Sequence, residues 1–122
     1  MKSDKVALRY KQASVAGAGS SSLVISLYEG ALGCLRRARR GIEEKDVVLR
    51  GEAIGKAIDY VGELRLSLDF ERSPDLASEL DAFYQTAIQR LLQANIKGDL
   101  QTLCELQEHF EDMLETWKEV LN

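Results

Sequence analysis

The chain has 122 residues, 45% of them hydrophobic and 30% charged, with a single proline, which suits one folded, helix-rich domain and excludes a disordered chain. Lysine and arginine number 16 against 20 acidic residues, a net charge of −4, so a nucleic-acid partner would have to be held by a local basic patch against the overall field. No apolar run approaches a membrane span and the opening MKSDKVALRY lacks the apolar core of a signal peptide, so a cytoplasmic protein with no membrane partner is expected.

Five segments carry apolar residues at helical spacing. The first, about residues 3–13, is short. The small-residue run AGAGSSS (16–22) that follows reads as a flexible connection, so residues 1–20 are expected to form an arm. The second segment runs from about Ser21 to Glu44, with the serines as N-caps. Its stripe of Leu23, Leu27, Ala31, Cys34, Ala38 and Ile42 is widened by Ile25, Tyr28, Leu32 and Leu35, more apolar surface than one bundle core should need. Within it, LYEGALG (27–33) holds Gly30 and Gly33, each costing about 0.8–1.0 kcal/mol relative to alanine in a helix interior.

Asp46 is placed to cap a third helix reaching about Leu68, whose core stripe is Ile54, Ala57, Ile58, Val61, Leu64 and Leu68. Beside it Val48, Gly51, Gly55, Gly62 and Leu66 fall within about 60° of one another on the helix. Its three glycines cost on the order of 2–3 kcal/mol together. Two accounts of these glycines stay open. They let a neighbouring helix of the same chain pack closely, or they floor a shallow groove for a segment of another chain. In the second account the surplus apolar surface of the second segment lines the groove, and the arm, with Val6, Leu8 and Tyr10, covers it while the partner is absent.

After DFERS, Ser73 and Pro74 form a start signal, a capping serine before a proline at the first helical position. The fourth helix should end at Gly98, and Asp99 can cap a fifth that runs to the C-terminus. Leu76, Leu80, Phe83, Ala87, Leu91 and Ala94 mark the buried side of one, and Leu103, Leu106, Phe110, Met113, Trp117 and Val120 that of the other. No stretch alternates like a strand. The expected fold is all-α, an antiparallel four-helix bundle with a short N-terminal helical arm, one domain over 1–122 with the arm in 1–20 and the bundle in 21–122.

An enzyme finds little support. The lone His109 reads as solvated, no second histidine completes a di-iron pattern, and phosphate loops, zinc spacings and activated-serine motifs are absent. Cys34 and Cys104 sit among apolar residues and read as reduced thiols, so no metal or cofactor is expected. RRARR (36–40), with Glu43 and Glu44 at pairing distance, reads first as a solvated face, with an acidic protein partner or nucleic acid as the alternatives.

With these blocks in view, the chain resembles the FliS family of flagellar export chaperones. The resemblance runs from Tyr10 to Trp117. It rests on YKQASVAGAGSSSLVISLY (10–28) with Tyr10, Val15, Ala18, Leu23, Leu27 and Tyr28 in register, followed by Gly30 and Ala31. KAIDYVGELRLSLD (56–69), LDAFYQTAIQRLLQANIKGD (80–99) and Trp117 continue it in order. Two departures are Ser20, where the family usually has proline, and FERSPD in place of a glycine-containing turn.

The resemblance implies a non-enzymatic bundle that binds the disordered C-terminal region of flagellin, blocks its premature polymerisation and keeps it competent for type III flagellar export. The export apparatus and a co-chaperone are further candidate partners, and a monomer or weak homodimer is expected. The expected flagellin-binding residues are Tyr10 in the arm, Ile25, Tyr28 and Leu32 as apolar anchors, and Gly51, Gly55, Gly62 and Leu66 as the groove floor. A helical-bundle adaptor acting through another protein surface is the alternative, and a small RNA-binding bundle using Arg36, Arg37, Arg39 and Arg40 a further one.

Overall fold

A computed structural model describes residues 15–121. A single 3-10 turn, Val15–Ala18, leads into four helices: α1 (Ser21–Glu43), α2 (Val47–Leu66), α3 (Pro74–Lys97) and α4 (Leu100–Leu121). No strand occurs among the described residues.

The helix boundaries follow from local chemistry. The Asp46 carboxylate accepts the Leu49 N–H at 3.0 Å, satisfying a donor that the first turn of α2 would otherwise leave unpaired. Pro74 stands at the start of α3, where its missing N–H costs nothing. Gly98 ends that helix in the left-handed conformation, at φ 65°, which a side chain would resist. Asp99 then accepts the Thr102 N–H at 3.3 Å and its hydroxyl at 2.8 Å. These bonds favour the ionised carboxyl and hold Asp99 below its usual pKa.

Two expectations about caps are corrected. Neither Ser20 nor Ser73 makes a side-chain cap bond. Their carbonyls begin the helices instead, accepting Val24 N–H and Ala77 N–H, each at 2.9 Å.

The described part of AGAGSSS is also more ordered than a flexible connection. The Asp69 N–H bonds the Gly17 carbonyl at 3.0 Å, and Ala18 is fully buried. A methyl on Gly17 would lie 2.5 Å from Ser73 Cβ, and one on Gly19 would lie 2.5 Å from the Ser67 carbonyl. Small residues are needed because the chain is threaded against the α2–α3 connection.

Each helix runs antiparallel to its neighbour, and cross-helix pairs fix the register. Gly30 meets Tyr60 and Gly41 meets Arg50 between α1 and α2. Arg50 bonds Asn95 and Arg65 bonds Asp81 between α2 and α3. Arg90 bonds Glu105 between α3 and α4. Between α4 and α1, Glu29 faces Lys118, Arg36 faces Glu111 and Arg39 faces Gln107.

The core fills the space between the four helices. Tyr28, Tyr84, Phe110 and Trp117 form its aromatic centre, with the Tyr28 ring 5.2 Å from Phe110 and 6.4 Å from Trp117, centroid to centroid. The Tyr28 and Tyr84 hydroxyls bond at 2.8 Å across the bundle, joining α1 to α3. Trp117 is a second hydrogen-bonding partner of Tyr28. Burial pushes the Tyr28 pKa up to about 12 and raises that of Tyr84 as well, so both phenols stay neutral at physiological pH.

Candidate functional site

Most of the broad apolar surface of α1 is consumed internally, Leu23 being the exposed exception among its large apolar side chains. α1 packs against both α2 and α4, so a stripe wider than a single interface needs is buried from two sides. This corrects the expectation that Tyr28 and Leu32 are exposed anchors: Tyr28 is 0% and Leu32 2% exposed. Ile25 is partly buried and packs against the core. Tyr10 lies outside the described residues.

The outer face of α2 is different. Among the described residues, a Cβ built on Gly51, Gly55 or Gly62 meets nothing within 4 Å, so none of the other three helices requires these glycines. Val48 is 68% and Leu66 80% exposed on the same face. The four expected floor residues, Gly51, Gly55, Gly62 and Leu66, are therefore brought together on an open surface.

Gly30 belongs to the other account. A methyl there would collide with the Tyr60 ring, so its absence makes a slot for an aromatic side chain of the same chain. Gly33 meets only the Arg37 guanidinium, at 3.9 Å. Gly41 is a close approach that sequence reasoning missed: its Cβ would lie 2.6 Å from the Arg50 backbone nitrogen, where α1 and α2 turn into each other.

The α2 face extends onto α3 through residues not expected from the sequence. Leu92 is 45% and Ile96 82% exposed. The Arg50–Asn95 and Arg65–Asp81 pairs set the register of the two helices. At 3.6 residues per turn, that register puts Leu92 and Ile96 on the α2-facing outer side of α3, level with Val48, Gly51 and Gly55. The result is a seam with glycines along one bank and two exposed aliphatic side chains along the other, the Arg50–Asn95 and Arg65–Asp81 pairs lying between them. The missed signal was a pair of apolar residues four apart that stand off the main stripe of α3.

The remaining sequence features are largely taken up by the bundle itself. Arg36 pairs with Glu111, Arg39 bonds Gln107 and Arg40 pairs with Glu44, so much of RRARR is spent on its own helix and on α4. Cys34 is buried and Cys104 half-buried, both as free thiols. His109 is exposed, its ring stacked 6.5 Å from Phe83. Among the described residues no cluster of acidic, histidine and cysteine side chains could hold a metal ion, and no helix is long and apolar enough to cross a membrane.

Comparison with known proteins establishes the family of the chain. The family model described as Flagellar protein FliS matches residues 3–122. The chain belongs to the FliS family. FliS relatives include the flagellar secretion chaperone of Salmonella typhimurium, 36% identical over 89% of this chain and 82% of its own length. That of Bacillus subtilis is 34% identical over 92% and 83%. Flagellar secretion chaperone FliSB of Pseudomonas aeruginosa is 36% identical over 87% and 84%. The FliS resemblance read from the tyrosine, Leu-Tyr and Ala-Asn blocks is thus borne out at the level of the family. The all-α bundle expected from the residues is also the fold observed.

Proposed function

We propose that this chain is a cytoplasmic flagellar secretion chaperone that receives the disordered C-terminal segment of flagellin along the outer face of α2 and its seam with α3. The observation that carries the reading is the glycine bank. α2 forgoes on the order of 2–3 kcal/mol of helix stability at Gly51, Gly55 and Gly62, although nothing among the described residues occupies the space. A surface kept low at that cost suits a guest backbone lying close, with Val48, Leu66, Leu92 and Ile96 as apolar contacts. FliS membership and the relatives' name, flagellar secretion chaperone, support a guest of the flagellar secretion route; flagellin as that guest follows from the family resemblance.

Binding of this kind couples folding to association. A segment that wraps a bundle buries about 1,000–3,000 Å² and spends part of the contact energy on becoming ordered, so the complex stays reversible. A guest held this way is kept from polymerising and is still available for export.

Calorimetric titration with the flagellin C-terminal segment of the same organism, with an N-terminal flagellin segment as control, tests the reading. Saturable binding of the first alone is expected. Gly55→Leu should weaken that binding at least tenfold while the thermal midpoint stays level or rises. Equal binding of both segments, or undiminished binding by Gly55→Leu, would overturn the assignment of this face.

A further inference from the structure

α2 has a second open flank, facing α1. A shallow depression of about 230 Å³ lies there, with Leu27 of α1 at one side and Lys56, Asp59, Tyr60 and Glu63 of α2 around it. The Tyr60 ring is half-buried in the slot left by Gly30, so it forms a firm aromatic wall. Leu23, 46% exposed, lies one helical turn before Leu27 along the same side of α1. The charged rim holds two carboxylates, Asp59 and Glu63, against one ammonium, Lys56, an acidic excess. Among the described residues, α1 offers no ion-pair partner to any of the three, so the rim charge is unspent toward its nearest neighbour helix.

Asp59 also occupies the outward line of α2 between Gly55 and Gly62. The two flanks are therefore joined over a ridge lowered by glycines, and about three extended residues suffice to cross a helix some 10 Å wide.

We infer that the Leu27–Tyr60 depression is a second contact for the same guest, taking one apolar side chain against Leu27 and the Tyr60 ring while a neighbouring lysine or arginine of the guest pairs with Asp59 and Glu63. This rests on the proposed function, and it makes the guest straddle α2 instead of lying only in the α2/α3 seam. Burying one apolar side chain in a pocket, with a charged rim to set register, is how a few residues come to dominate an interface.

The test uses the full chain and the flagellin C-terminal segment, titrated calorimetrically at low and high salt. Asp59→Lys combined with Glu63→Lys changes exposed residues and leaves the core intact. It should weaken binding about tenfold at low salt, with the loss shrinking at high salt as the charges are screened. Tyr60→Ala should weaken binding at both salts, and circular dichroism would confirm that it is folded. Ile96→Asp probes the other seam. If Ile96→Asp weakens binding and the double charge reversal does not, the second contact is overturned and the α2/α3 reading stands. If the unaltered protein fails to bind the segment, both fall together.

Discussion

Gly30 and Gly41 on α1 and Gly51, Gly55 and Gly62 on α2 are the same residue used for opposite ends. At the first two positions a neighbour already fills the space a Cβ would take, the Tyr60 ring in one case and the Arg50 backbone in the other. At the other three no described residue fills the space. On a wheel all five look alike, as a helix penalised at one face. Only the position of the neighbouring helix separates a glycine that closes an interface from one that leaves a surface low.

Substitutions can break or sharpen that contrast. The largest effect is expected at Gly41. Alanine there collides with backbone, which cannot swing aside, and should cost about 1–3 kcal/mol in denaturant unfolding. Gly30→Ala collides with the Tyr60 ring at Cε1 and Cζ, and since Cζ lies on the ring's rotation axis the whole side chain must shift. A half-buried side chain gives way more readily than backbone, so a smaller loss is expected, with a change in the Tyr60 ring chemical shifts. Tyr84→Phe removes one partner of the buried Tyr28 hydroxyl and should cost about 1 kcal/mol, measured the same way.

On the open side the sign reverses. Gly55→Ala and Gly51→Ala should each stabilise the fold by up to about 0.8 kcal/mol, because alanine gains helix propensity and meets nothing. A loss of stability at either would mean that α2 is covered after all.

The smallest effect belongs to the Arg65–Asp81 pair that staples the open seam at 2.8 Å. The hydrogen bond from Arg65 holds the Asp81 carboxyl below its usual value. The stabilisation is therefore complete above the ordinary carboxylate range near pH ~3.9 and is lost as pH falls through the lowered folded value. Arg65→Ala should cost less than about 1 kcal/mol at neutral pH and flatten the acid limb of a stability profile.

Much of the fold was legible because its punctuation is local. Pro74, Gly98, Asp46 and Asp99 act within a turn of their own position, and each does what its residue type suggests. Ser20 and Ser73 misled because a serine can leave its hydroxyl out of the cap while its carbonyl still starts the helix. The excess apolar surface of α1 was real, yet its use depends on α1 touching two helices along its length, a tertiary fact that periodicity does not carry. In the site, the glycine bank was visible as an anomaly within one helix. Leu92 and Ile96 were not, since their meaning comes from the register set by Arg50 and Asn95.

The hydroxyl bond between Tyr28 and Tyr84 bears on how such a molecule handles its guest. It ties the two helices that face each other diagonally, deep inside a hydrocarbon interior. Rotating either helix while the core stays closed would leave two buried phenols without their shared bond. On the proposed function, the bundle would act as an anvil: shape change during capture would fall to the incoming chain, and release would return the same template for the next round.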